Sequence, residues 1–294
     1  MRLSLTTKFN VVFLLIFAIG FASTAWLTRK LLLRNAEEEV VQNARLMMES
    51  ALAVRGYTQA QIVPLLQTQM KYSFAPQSVP SFSATEVAAA LRAQFPDYAY
   101  KEATLNPTNL RDRATEWESD VVQRLRNEPG LNEIVGHRDT AAGPAVYIAR
   151  PIQIREPACL ECHSTVDAAP KTMVDAYGPA NGFGWRLNEI VGAQITSVPM
   201  SLPLARAEKA FQTFIAAFLV IFAMVFVASN LVFYFTVTRR ITALSRAVDQ
   251  VSMGDMDAAI PATRSRDEVG VLVASFERMR TSLASAMKMI DGER

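Results

Sequence analysis

Three of the chain's four cysteine and histidine residues fall within five consecutive positions, Cys159-Leu160-Glu161-Cys162-His163. Two thiols separated by two residues and followed at once by an imidazole make C-x-x-C-H, the attachment pattern for a c-type haem. The spacing suits that chemistry. Both thiols can add across the two vinyl groups of one porphyrin, and the adjacent His163 is then delivered to the iron as proximal ligand. Two other readings use the same residues: a C-x-x-C can be a redox dithiol or half of a zinc site. A redox dithiol has no use for the following histidine. A zinc site needs more ligands, and His137 is the sole other histidine. The leading expectation is covalent haem c, with iron, on Cys159, Cys162 and His163.

A sixth iron ligand would have to be Met, His or Cys, or the position stays open. No third cysteine exists. Met47 and Met48 lie on a helical segment and are the favoured candidates, with Met70, Met173 and His137 behind them. His137, between Gly136 and Arg138-Asp139, reads as a residue of a solvated turn. Arg55 shares the helix face of Met48, seven residues on, and is a candidate partner for a haem propionate. So are Arg111 and Arg113, after the turn NPTN (106–109). In NGFGW (181–185) the glycines allow close backbone approach, and Phe183 and Trp185 offer rings that can stack on a porphyrin.

These residues must be held by a chain of 294 residues, 50% hydrophobic and 20% charged, with net charge +2. Such a composition excludes a disordered acidic tail and a collagen-like repeat. Basic residues form no patch, so nucleic acid is not an expected partner. Two uncharged apolar runs divide the sequence. VVFLLIFAIGFASTAWL (11–27) reaches, with Phe9 and Asn10, the roughly 20 residues that a spanning helix needs. FIAAFLVIFAMVFVASNLVFYF (214–235) is the second. Ser23-Thr24-Ala25 would tolerate signal cleavage, but the second span and the long middle segment favour an uncleaved anchor. Residues 1–30 carry four basic and no acidic side chains, whereas 31–209 carry 17 basic and 20 acidic. Arg2 and Lys8 precede the first span and Arg29, Lys30 and Arg34 follow it, while Arg239, Arg240 and Arg246 follow the second against Arg206 and Lys209 before it. The positive-inside rule leans towards both termini in the cytoplasm of a bacterium and 31–209 in the periplasm. The expected division is a cytoplasmic start (1–9), a first span (10–30), a periplasmic haem domain (31–209), a second span (211–237), a cytoplasmic module (238–290) and a tail (291–294).

Within the middle segment, Val40, Ala44, Met47, Ala51 and Val54 recur on one helix face. TQAQI (58–62) restarts a helix that Pro64 limits. Ser83 and Glu86 read as a capping box that opens another. YAYKEATL (98–105) is a predicted strand, ATEWESDVVQRLRNE (114–128) a helix closed by Pro129-Gly130, and AVYIARPIQI (145–154) and EIVGAQITSVPM (189–200) are β-rich. Helices followed by strands and loops indicate an α+β domain with an antiparallel sheet.

Taken together, YKEATLNPTNLRDRATEWE (100–118), YIARPI (147–152), CLECHS (159–164) and YGPANGFGWRLNEIVGAQITSVP (177–199) resemble the single-haem c-type sensor domain of bacterial membrane proteins. The resemblance covers most of 35–200 and implies a PAS-like fold around one covalent haem. Some members of that family use a cysteine as distal ligand, which this chain cannot supply.

After the second span, Ile241, Leu244, Val248 and Val251 step as a heptad seam, and so do Leu272, Phe276, Met279, Leu283 and Met287. Gly254 and Pro261 mark the connector between them. Two such helices from each of two chains can bury their seams as a parallel four-helix bundle. The segment resembles a HAMP signal-relay module, with Asp267 and Glu268 in DEVG (267–270) matching that family's junction motif. A proline usual early in the first helix is missing, and Ala243 stands near its place. The expected protein is a homodimeric inner-membrane haem sensor, not an enzyme. It would relay redox state or a diatomic gas to an unknown cytoplasmic partner. The alternative is a membrane-anchored electron-transfer cytochrome. A peroxidase-like enzyme is the weakest reading, since His137 is the sole candidate for a distal acid–base histidine.

Overall fold

The computed structural model describes residues 4–128, 130–141, 143–260 and 267–292. Pro129 and Pro261, read above as a helix stop and a connector residue, lie outside the described residues, as does the end of the tail. The chain forms two compact units, residues 29–210 and residues 1–28 with 211–294.

Helix α1 (Leu5–Tyr57) contributes its second half to the first unit. Its buried stripe there is Ala36, Val40, Ala44, Met48 and Ala51, spaced as one face of a 3.6-residue helix. Met48 rather than Met47 therefore occupies the stripe. Met47 and Val54 flank it half-buried, because one residue is a rotation of about 100°. After α1 come a π-helical turn (Thr58–Ile62) and α2 (Val63–Leu66), where Pro64 sits at the start of the helix rather than ending it. Helix α3 (Pro80–Gln94) starts three residues before the predicted capping box. Pro80 opens it with no side-chain cap, and the Ser83 hydroxyl instead donates back to the Gln77 carbonyl at 2.9 Å.

The sheet consists of β1 (Ala99–Thr104), β2 (Ile134–Thr140), β3 (Gly143–Gln153) and β4 (Ile190–Pro199). It is antiparallel throughout, in the order β1-β4-β3-β2. The α+β reading is thus borne out. β4 lies inside the sheet and is buried on both faces, whereas β2 is an edge with every second residue exposed. One face, with Tyr100, Val146, Ile148 and Val198, packs on α1 and on Ala84 of α3. The other, with Ala103, Ala149, Ala193 and Ile195, packs on α4 (Glu116–Asn127) through Val121, Val122 and Leu125. α4 begins with a true capping box between Thr115 and Glu118. His137 belongs to β2 and not to a turn, and its Nε2 lies 3.0 Å from Glu37 on α1. Two short helices, α5 (Leu160–His163) and α6 (Lys171–Tyr177), fill the β3–β4 connection.

The second unit contains the two apolar helices and the C-terminal hairpin. α7 (Ser201–Phe233) supplies the second span. Both α1 and the α7-containing helix are long and apolar enough to cross a membrane. They meet through phenylalanines, Phe9 on Phe233 at 4.6 Å and Phe21 on Phe218 at 5.1 Å between ring centroids. Low numbers pair with high ones, so these halves run antiparallel. Beyond a π-helical turn (Tyr234–Thr238), α8 (Arg239–Ser252) and α9 (Glu268–Gly292) pack through Leu244, Val251, Val273 and Phe276, with Ala258 of the connector between them. Asp267 caps α9, accepting from Gly270 N–H at 2.8 Å, and accepts from Arg240 at the start of α8 at 2.9 Å. The two helices therefore start at the same level and run parallel. Only three of the nine predicted seam residues, Leu244, Val251 and Phe276, are buried within one chain. Ile241, Val248, Leu272, Met279, Leu283 and Met287 stay exposed, because one hairpin can cover only one stripe of each helix.

Candidate functional site

Cys159 ends a short turn (Pro157–Cys159), and α5 carries Cys162 and His163. Both cysteines are free thiols and half-buried. Burial, followed by the charges of Glu161 and Cys159, pushes the Cys162 thiol up from its ordinary pKa. Reactive dithiols need the opposite shift, because the thiolate is the nucleophile. Among the described residues no three His, Cys, Asp or Glu side chains gather as metal ligands, so the pair is not completed as a zinc site.

The His163 ring is held through Nδ1 and by a stacked indole. Nδ1 lies 2.8 Å from the Gly182 carbonyl, which can only accept, so Nδ1 carries the hydrogen and Nε2 presents its lone pair. Burial lowers the ring's pKa, and the Gly182 bond opposes that shift only in part, so the imidazole is neutral near pH 7. Trp185 stacks on the ring at 4.0 Å and 16°. The backbone N–H groups of Gly184 and Trp185 donate to the carbonyls of Ser164 and His163 at 2.9 and 3.1 Å. NGFGW is thus a cradle for the histidine. Trp185 stacks on the imidazole itself, and Phe183 contributes its carbonyl, which accepts from Asn106 at 3.2 Å. Gly182 must be glycine. Its φ is +86°, and a Cβ there would fall 2.0 Å from Thr108 Oγ1.

The three arginines read as propionate partners are all engaged by the protein. Arg113 donates to Asn181 at 2.9 Å. Arg111 pairs with the exposed Glu86 and lies over the Phe82 ring at 4.8 Å. Arg55 holds both oxygens of Glu102, a carboxylate with only 5% of its side chain exposed. Tyr100 donates to the same carboxylate at 2.8 Å. Burial, followed by the Glu102 charge, pushes the Tyr100 phenol far up and keeps it a donor. Glu102 was not singled out by its sequence, where it reads as one polar position of an alternating strand. Met48, fully buried, lies in the apolar cluster of α1 and the sheet, seven residues before Arg55 on the same helix face. The attachment residues are not part of that cluster.

Near the cluster, burial raises the Asp112 carboxyl to about 6, helped by the Glu102 charge and opposed by Arg111 and Lys101. A carboxyl raised above its unfolded value of 3.8 binds more protons folded than unfolded. Its contribution is therefore favourable in acid and is lost as pH rises from about 4 to about 6. Asp112→Asn is expected to raise stability by about 1–3 kcal/mol near pH 7 and to leave it unchanged near pH 4, as read from urea midpoints.

No curated protein matches the chain. A crystal structure of the cyanobacterial haem protein Tll0287 aligns with 55% of this chain and 95% of its own at 17% identity, with a TM-score of 0.40. The HAMP domain family matches residues 232–285. The Tll0287-like family matches residues 33–199, more than half of the sequence, and the chain belongs to that family, with a HAMP domain following it.

Proposed function

We propose that this protein is a bacterial inner-membrane haem sensor, with a c-type haem on residues 159–163 and a HAMP output. One observation carries the reading. His163 commits Nδ1 to the Gly182 carbonyl and leaves Nε2 as a lone-pair donor beside two half-buried thiols. The donor set fits the group. Cys159 and Cys162 would each form a thioether, the sulfur bonding one vinyl carbon and the thiol hydrogen going to the other. His163 would bind iron through Nε2. A carbonyl on Nδ1–H fixes the tautomer and makes the ring a stronger ligand. Trp185 keeps the imidazole from rotating. A bound haem supplies an iron that changes charge with reduction and takes a diatomic gas where an axial ligand is weak.

The distal position is proposed for Met48 or Met47. The face of α1 that carries Met48 continues to Arg55, and α1 runs without a break from Leu5. A change at that helix needs no intermediary to reach the membrane. Replacing each methionine by alanine should shift the Soret and α bands for the ligating one. Unchanged spectra in both variants would remove methionine from the iron.

Residues 31–209 are assigned to the periplasm and both termini to the cytoplasm on the Lys and Arg residues that flank the two spans, Arg239, Arg240 and Arg246 after the second outnumbering Arg206 and Lys209 before it. The exposed stripe of Ile241, Val248, Leu272 and Met279 is the apolar surface that a second copy would cover in a parallel four-helix bundle. Signalling requires that the haem state favour one packing of that bundle over another, whether the input is redox or a gas. The protein acts on partners and is not an enzyme. Cysteine introduced at Val248 should crosslink to its counterpart in membranes to different extents in oxidised and reduced samples. Equal crosslinking would point instead to an anchored electron-transfer cytochrome.

A further inference from the structure

Asn106 follows β1 directly, in the NPTN turn, and uses both ends of its side-chain amide on a loop 76 residues away. Its Oδ1 accepts from Gly182 N–H at 3.2 Å, and its Nδ2 donates to the Phe183 carbonyl at 3.2 Å. These two bonds hold the peptide units on either side of the one carbonyl that matters to the histidine, Gly182 C=O, which lies 2.8 Å from His163 Nδ1. Thr108, two residues on, closes the arrangement. It packs so tightly on Gly182 that no side chain fits there, and its hydroxyl lies 3.5 Å from the same ring nitrogen.

From this juxtaposition we infer that Asn106 is the positioning residue of the proximal histidine, setting through the Gly182 carbonyl the strength with which His163 binds iron. The inference rests on the haem reading above. Its logic is that of a metal centre whose ligand is tuned by the partner of its other ring nitrogen. A glycine at φ +86° has wide conformational freedom, so its carbonyl direction must be imposed from outside. Asn is suited to this because a single planar amide offers both an acceptor and a donor. Backbone bonds from Gly184 and Trp185 to Ser164 and His163 fix the later part of the loop, and Asn106 fixes the part at Gly182 and Phe183.

The test uses the full-length haem-loaded chain in detergent. Asn106→Leu keeps the side chain's volume and removes both bonds. Haem staining on a denaturing gel should match the parent, since both thiols are intact. The hyperfine-shifted His163 Nδ1–H signal of the ferric protein should move, and its exchange with solvent should quicken on the order of tenfold. The reduction potential should rise, because a less strongly donating imidazole stabilises the ferric state less. Asn106→Asp, measured alongside in case the leucine variant does not accumulate, keeps the acceptor for Gly182 and loses the donor to Phe183. It should show an intermediate exchange rate. A stained variant with parental signal position, exchange rate and potential would overturn the assignment, even if its melting temperature fell. Failure of the haem reading looks different, because the parent itself would carry no stain.

Discussion

Alanine at both Cys159 and Cys162 is expected to abolish in-gel haem staining while the domain stays folded. The two thiols are half-buried and in no disulfide among the described residues, so their loss leaves no buried charge behind. Each single variant should retain one thioether and stain detectably, with an α band between that of the parent and that of a non-covalent haem. Staining of the double variant at the parental level would show that the porphyrin is held elsewhere.

The largest expected effect on stability lies at Glu102. Glu102→Ala strands Arg55, whose side chain is 27% exposed, and takes the partner from the Tyr100 hydroxyl. Removing one member of a buried ion pair costs about 3–5 kcal/mol, and the partial access of Arg55 to water brings the expected loss to about 2–4 kcal/mol. Glu86→Ala, which breaks the exposed pair with Arg111, should cost no more than about 1 kcal/mol. Exchanging Arg55 and Glu102 together for leucine should recover most of the loss, because an apolar pair needs no charge compensation. Thermal unfolding of the detergent-solubilised chain, followed by tryptophan fluorescence, measures all three. Glu102→Ala with a midpoint equal to that of Glu86→Ala would contradict the burial argument.

The chemistry proposed for residues 159–163 rests on a motif that the sequence displays in one short segment. The sequence does not display its support. Asn106 reads as a turn residue, and nothing local connects it with Gly182, from whose N–H it accepts. Glu102 and Arg55 are 47 residues apart, and each has an ordinary local explanation, a polar strand position and a helix-face cation. The strands with two buried neighbours announced themselves by β-rich runs. β2 did not, because Gly136, Arg138 and Asp139 make IVGHRDT look like a turn, whereas the other edge strand, β1, showed itself in YAYKEATL. Gly136 has a packing reason that only the pairing discloses. It faces Tyr147 across the ladder, and a Cβ there would fall 2.5 Å from the tyrosine ring. In the stripe of helix α1, Val40, Ala44 and Ala51 were legible, but Met48 stands in it where the sequence suggested Met47. In the C-terminal hairpin the heptads were legible, but the division of each seam between the chain's own partner helix and a second surface depends on how α8 and α9 rotate about their axes.

The most direct test is acid–acetone extraction of the purified full-length protein, with a pyridine haemochrome spectrum of both phases. Thioether attachment through Cys159 and Cys162 requires that the haem stay with the protein and give the haemochrome of a porphyrin lacking both vinyl groups. Haem recovered in the acetone phase with its vinyl groups intact, or no haem in either phase, would contradict it.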